Sequence, residues 1–308
     1  MTARRLDPLP SAERSRLFLI ASVAEATLGK PGNVSPGRDF DDLTFDDLVQ
    51  AAVAAAPAIG QDGIGLGRVI NTAMNRVMRS TRTNANLGIV LLAAVQSYAA
   101  GLGVSYEEVI AATNNDDARG AYCGIRRANP GGLGTVAEGD IRQPPPGTLT
   151  EMMHLAAGRD AVARQFDPDD AMPDVRRIAR ELRRGCYDGG ELGSVGPRVF
   201  AVELATHPDT LIARKNGPEE ADRVRQAAAG IVGTDAATIS DDQLAELDAR
   251  LRTDDHRMNP GTTADLFAAA LYHILLADGE RSPIGQQIVR VARSVADVVD
   301  SVSDAAGG

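Results

Sequence analysis

The chain has no tryptophan, and its phenylalanines and tyrosines make up only 4% of 308 residues. A core without large rings must be assembled from Ala, Leu, Val and Ile, which suits closely packed helices. Cysteine is scarce too. Cys123 and Cys186 stand far apart in no CxxC-type spacing, which points to neither a disulfide framework nor a metal–thiolate site. Positive charge is in deficit: the net charge of −10 argues against nucleic acid or anionic membrane as a partner, because both select basic surfaces. No stretch approaches the roughly 20 apolar residues of a membrane span. Arg4 and Arg5 are not followed by the apolar core of a secretory signal, so the expectation is a cytoplasmic protein.

The scarcest common residue is lysine. Of 32 basic residues only Lys30 and Lys215 are lysines, and both sit in Gly- and Asn-flanked segments, Gly29-Lys30-Pro31-Gly32-Asn33 and Arg214-Lys215-Asn216-Gly217. A compact ammonium there suggests a point-charge role that the planar arginine fork does not fill.

What is abundant is helical periodicity. Residues 11–28 place Leu17, Ile20, Ala21, Ala24 and Leu28 on one face. Similar patterns occupy about 44–57, 64–79, 87–100, 149–165, 173–184, 196–206, 218–232, 240–251, 263–277 and 284–303. Ser11, Thr44, Ser105 and Ser240 are candidate N-caps. Alternating β-branched stretches are nearly absent, leaving room for one short ribbon at most. With 44% hydrophobic residues and no linker of boundary quality, the expectation is one all-α domain over 1–308, with long glycine- and proline-rich loops.

Neither standard phosphate motif is present. Gly63-Ile64-Gly65-Leu66-Gly67 lacks a preceding strand and reads as a helix lead-in, and no GxxxxGK[ST] occurs. Three polar segments flank apolar helices instead. Glu25 projects from the last turn of the first helix beside the Lys30–Asn33 loop, where the helix dipole disfavours an acid. Arg79 to Gly88, with Arg82, Asn84 and Asn86, leads into an apolar helix, an anion-binding arrangement of amides and cations. Asn259-Pro260-Gly261-Thr262-Thr263-Ala264-Asp265 leads into another. Asp265 reads equally as dipole complement, catalytic carboxylate or magnesium ligand. Asp39, Asp41, Asp42, Asp46 and Asp47 cluster after the first loop, and one or two of them could hold magnesium with substrate phosphates. His154 and His273 fall within apolar helices and read as core groups.

Taken in order, Glu25–Pro36 (EATLGKPGNVSP), Asp42-Leu43-Thr44, RSTRTNANLG, Ala128 to Gly134, Leu155 to Asp160, Leu211 to Lys215 and NPGTTADL resemble the triphosphoribosyl-dephospho-CoA synthase family over roughly residues 15–280. That resemblance implies an all-helical enzyme. It would move the triphosphoribosyl group of ATP, used as Mg-ATP, to the 2′-hydroxyl of 3′-dephospho-CoA and release adenine. It implies that Lys30, Arg82 and Lys215, with Arg214 and Gly32 alongside, handle the triphosphate. Asn33, Asn84, Asn86, Asn259, Thr262 and Thr263 would position triphosphate or ribose. Asp42 and Asp265 would hold Mg2+, and Glu25 would act as base toward the acceptor while Asp265 steadies charge on the ribose. The first loop and TNANLG are closer to a stand-alone archaeal and methylotroph branch than to citrate-lyase-type members. That leaves a pterin-type acceptor precursor as an alternative, alongside a non-catalytic nucleotide-binding module. A homo-oligomer is compatible with these readings.

Overall fold

The structure is a computed structural model that describes residues 7–81, 83–130, 136, 138–253 and 256–294. Its helices begin with α1 (Ser11–Thr27), α2 (Phe45–Ile59), α3 (Leu66–Ser80) and α4 (Leu87–Leu102). The short α5 (Tyr106–Ala111) and the longer α6 (Asn115–Ala128) follow, and then the short α7 (Leu149–Ala156) and α8 (Ala161–Arg164). The second half runs α9 (Pro173–Tyr187), α10 (Leu192–Thr206), α11 (Thr210–Asn216), α12 (Pro218–Val232), α13 (Asp241–Leu251), α14 (Gly261–Asp278) and α15 (Pro283–Arg293). Among the described residues there is no strand; the expected ribbon reduces to one bridge between Ser35 and Arg38. The all-α expectation is met by one helical domain. Among the described residues, no helix is long and apolar enough to cross a membrane.

Local chemistry explains most helix starts. Thr44, Ser105 and Ser240 each accept a backbone N–H from the third helical residue, and Asp47, Glu108 and Gln243 return the bond as capping boxes. Ser11 does not cap: it is the first residue of α1, after Pro10, whose ring carries no capping oxygen. The periodic stretch 149–165 is two helices, because the Asp160 carboxylate accepts from Val162 and Ala163 and starts a new one. The region 284–303 is helical through Arg293, and its end lies outside the described residues. His154 is exposed rather than core, since its short helix turns that face to solvent. His273 is partly buried, 2.9 Å from the Tyr106 hydroxyl, and desolvation pulls its pKa down to about 4.

Two helices are apolar on nearly every side, α4 and α14, and they form the middle of the molecule. Helix α14 packs against α1, α4 and α9; α3 packs against α6. In the last pair glycine is required. A Cβ on Gly67 would lie 2.3 Å from the Asp117 carbonyl oxygen, and one on Gly120 would lie 2.4 Å from the Gly67 carbonyl. The two backbones therefore touch, and the Gly67 N–H donates to Asp117 Oδ1 at 2.9 Å. A second apolar cluster joins α10 to α13 through Leu204, Ile212, Val224 and Leu247. This packing brings the end of α1, the start of α4, the end of α11 and the start of α14 to one place.

Candidate functional site

Those four helix ends surround a cavity of about 230 Å³. Its lining includes Glu25, Asn33, Asp42, Asn84, Asn86, Arg214, Lys215, Asn259, Thr262 and Asp265, residues that the sequence scatters over some 240 positions. Arg82 lies outside the described residues, as do Gly131 to Gly134 of the fourth motif.

Glu25 occupies the last full turn of α1, almost fully buried. Its carboxylate Oε1 lies 3.0 Å from the Lys30 ammonium, and neither side chain is more than 5% exposed. The same ammonium donates to the Glu25 carbonyl and, at 3.2 Å, to that of Leu28. Lys30 is thus occupied behind the cavity wall, which it does not line. Gly32 is also behind the wall. Its φ of +72° fits a residue without Cβ, and a Cβ there would approach Leu251 Cβ to 2.6 Å. Its N–H donates to Asp248 Oδ1 at 2.8 Å, and Arg252, the residue just past the end of that helix, donates to the Asn33 carbonyl. Helix α13 therefore clamps the first loop from outside.

At the start of α4, Asn86 takes a left-handed conformation, φ 66°, and its side-chain amide donates to the Leu48 carbonyl at 3.2 Å. It positions the chain rather than capping the helix. Gly88 follows, and α14 presses on it: an added Cβ would fall 2.1 Å from Asp265 Oδ2. The absence of a side chain lets the Asp265 carboxylate reach the first turn of α4, the positive end of that helix dipole.

Asp209, which the sequence reading did not single out, ties two site helices together. One oxygen accepts the N–H groups of Leu211 and Ile212 and so caps α11. The other accepts from the Thr263 N–H at 2.7 Å and the Thr263 hydroxyl at 2.8 Å, fixing the start of α14. Thr263 is thereby turned into this bond, whereas Thr262 lines the cavity and accepts from Thr210 at 3.2 Å. Asp160, also without an assigned role in the sequence, lines the cavity 3.6 Å from Arg214. The Asp-before-helix pattern at 160 and 209 is a capping signal that was there to be read. Of the five clustered acids only Asp42 lines the cavity; Asp39 accepts from the Phe45 N–H and Asp47 completes a capping box.

The electrostatics are dominated by crowded carboxylates. The Asp265 carboxyl is held well above the usual range by burial first, and then by the charges of Glu25, Asp209 and Asp160, with Arg214 opposing them. Burial also raises Asp209 against the bonds that favour its ionised form. Buried side-chain polar atoms without a protein partner gather here as well. Asn33 Nδ2, His256 Nδ1 and Asn259 Oδ1, all on residues of the lining, have none. Buried polar groups in folded proteins are nearly always bonded, so three on one lining form a set of contacts for a polar ligand. Elsewhere, Asp174, Glu203 and His207 come within metal-binding reach of one another. Their carboxylates are already matched by Arg164 and Arg177, and none of the three lines this cavity.

Comparison with known proteins gives a consistent result. The family model CitG, described as ATP:dephospho-CoA triphosphoribosyl transferase, matches residues 11–283. No curated protein matches the chain. A crystal structure from Archaeoglobus fulgidus, provisionally assigned as a triphosphoribosyl-dephospho-CoA synthase, is similar in fold. It has a TM-score of 0.58 and 21% identity, covering 75% of this chain and 98% of the other.

Proposed function

Since the chain belongs to the ATP:dephospho-CoA triphosphoribosyl transferase family, we propose that the cavity between α1, α4, α11 and α14 is where the group is transferred. The activity is that of the family: the triphosphoribosyl group of ATP passes to dephospho-CoA. In bond terms, the acceptor hydroxyl oxygen joins the anomeric carbon of the ATP ribose as the bond from that carbon to adenine breaks. Adenine leaves with the bonding pair, and the proton lost by the hydroxyl is balanced by the one adenine gains.

The observation that carries this placement is the convergence of Glu25, Asp160 and Asp265 with Arg214 and Lys215 around three unpartnered polar atoms. Glu25 is the base toward the acceptor hydroxyl, held in position by Lys30. Lys215 and Arg214 face the triphosphate, with Asn33, Asn84, Asn86 and Asn259 positioning it and the ribose. This gives Lys30 a different task from the one the family resemblance implied, because its ammonium is directed at Glu25 and two carbonyls. A carboxylate close to the ribose also suits an oxocarbenium-like transition state, and Asp265 is the candidate. The surplus of negative charge that raises Asp265 fits a divalent cation. Asp265 and Asp42 would hold magnesium together with donor phosphates, and it would supply charge neutralisation there.

The test is incubation with Mg-ATP and dephospho-CoA, followed by mass spectrometry. Free adenine and a dephospho-CoA adduct heavier by one triphosphoribosyl group are expected. Adenine release without an adduct would instead indicate transfer to water, and no adenine at all would sink the reading.

A further inference from the structure

Beside the polar cavity lies a larger one of about 580 Å³, a size typical of small-molecule sites. The two adjoin, sharing Leu87, Leu91, Pro130, Asp160, Val162 and Arg214 in their walls. Their chemistry differs sharply. Away from the shared wall, the apolar part of the larger cavity is lined by Tyr122, Ile125, Ile141, Met152, Met153 and Ala156, with Asp140, Arg159, Arg164 and Thr210 also on its wall. Of the charged groups on its margin, Arg164 pairs with Asp174 at 2.9 Å, Asp140 pairs with Arg142, and Arg159 donates to the Leu155 carbonyl at 2.8 Å. Its wall is also held in shape from behind. The Tyr122 hydroxyl donates to the Gly139 carbonyl at 2.7 Å, and Arg126 donates to the Ile141 carbonyl at 2.7 Å, tying that loop to α6. Thioethers supply an adaptable apolar surface to such a pocket.

The reaction has two substrates of unlike character. ATP is compact and highly charged. Dephospho-CoA presents a reacting ribose at one end and a long uncharged arm at the other, with a branched aliphatic carbon, two amides and a thiol. The apolar part of the chamber carries no cation to face a triphosphate, whereas the arm would bury apolar surface there. We propose that the larger cavity receives the pantetheine arm of the acceptor, with the Asp160–Arg214 wall marking where its ribose meets the donor. The assignment rests on the transferase reading above.

The experiment compares dephospho-CoA with the methyl ester of adenosine 5′-diphosphate, which keeps the reacting ribose and lacks the arm. In the wild-type enzyme kcat/KM for the ester should be about 100-fold lower, since binding energy from the remote arm is lost. Ala156→Trp, which fills the chamber, should raise KM for dephospho-CoA by about tenfold or more, leave KM for ATP within about twofold, and barely affect the ester. Equal efficiency of the two acceptors in the wild type would overturn the proposal without reliance on any variant. So would an Ala156→Trp variant that loses both acceptors equally or neither. If no adenine were released with any acceptor, the transferase reading itself would have failed, a distinct result.

Discussion

Lys30→Met separates the two tasks open to one of the chain's two lysines. In the structure its ammonium lies 3.0 Å from the Glu25 carboxylate, with both side chains shielded from solvent. Methionine keeps the length and apolar stem and removes the charge, leaving a buried carboxylate without its counter-ion. Breaking a buried pair from one side typically costs about 3–5 kcal/mol, while replacing both partners by apolar groups is close to neutral. The single variant should therefore lose a large share of a stability of ~5–15 kcal/mol. The double variant Glu25→Leu/Lys30→Met should recover most of the loss, though not the activity. Urea unfolding followed by circular dichroism reads this directly, as a midpoint lower by about 1 M or more in the single variant. An unmoved midpoint together with weakened ATP binding by calorimetry would refute the reasoning and return Lys30 to the triphosphate.

Other variants probe neighbouring links. Glu25→Gln should lower kcat by ~10²–10⁴-fold, the usual loss with a positioned base, while ATP affinity measured by calorimetry stays within a few-fold. Gly88→Ala forces a Cβ to within 2.1 Å of Asp265 Oδ2, so one methyl should cost about 1–3 kcal/mol in denaturant titrations and displace the carboxylate, with a matching drop in adenine release. Asp209→Ala removes the cap of α11 and strands the Thr263 N–H. A cap is worth roughly 0.5–2 kcal/mol and an unsatisfied buried donor ~1–3 kcal/mol, so a combined destabilisation of a few kcal/mol should appear on thermal unfolding. The pH dependence of Asp209 has a definite sign. Its folded pKa is raised above the ordinary carboxylate value, so its contribution to stability is fully present in acid and is lost as pH rises through the folded value. Asp209→Asn should remove that decline, and a stability gap independent of pH between 3 and 7 would contradict it.

How much of this was legible in the chain depends on what kind of interaction made each feature. Capping boxes at Thr44, Ser105 and Ser240 are local, so a few residues suffice to show them. The apolar faces of α4 and α14 are nearly as local, since a helix that is hydrophobic all round has to be buried. Most of the polar residues put forward for the site do meet at one cavity, because each stands at a helix end and the helix ends converge. What the chain could not show is which neighbour each side chain would find. Lys30 and Glu25 are five residues apart, close enough to suggest a relation, yet nothing local decides between a ligand facing outward and a partner facing inward. Burial decides it, and the loop that follows Lys30 is held by Asp248 of α13 and by Arg252 just beyond that helix, more than 200 residues away. The fit of Gly88 against Asp265 likewise follows from the packing of α4 on α14, which no spacing encodes. A reading of residues one at a time assigns a cation to the phosphate nearest in chemical kind. The folded protein assigns Lys30 to the charge nearest in space, and behind this cavity wall that charge is the Glu25 carboxylate.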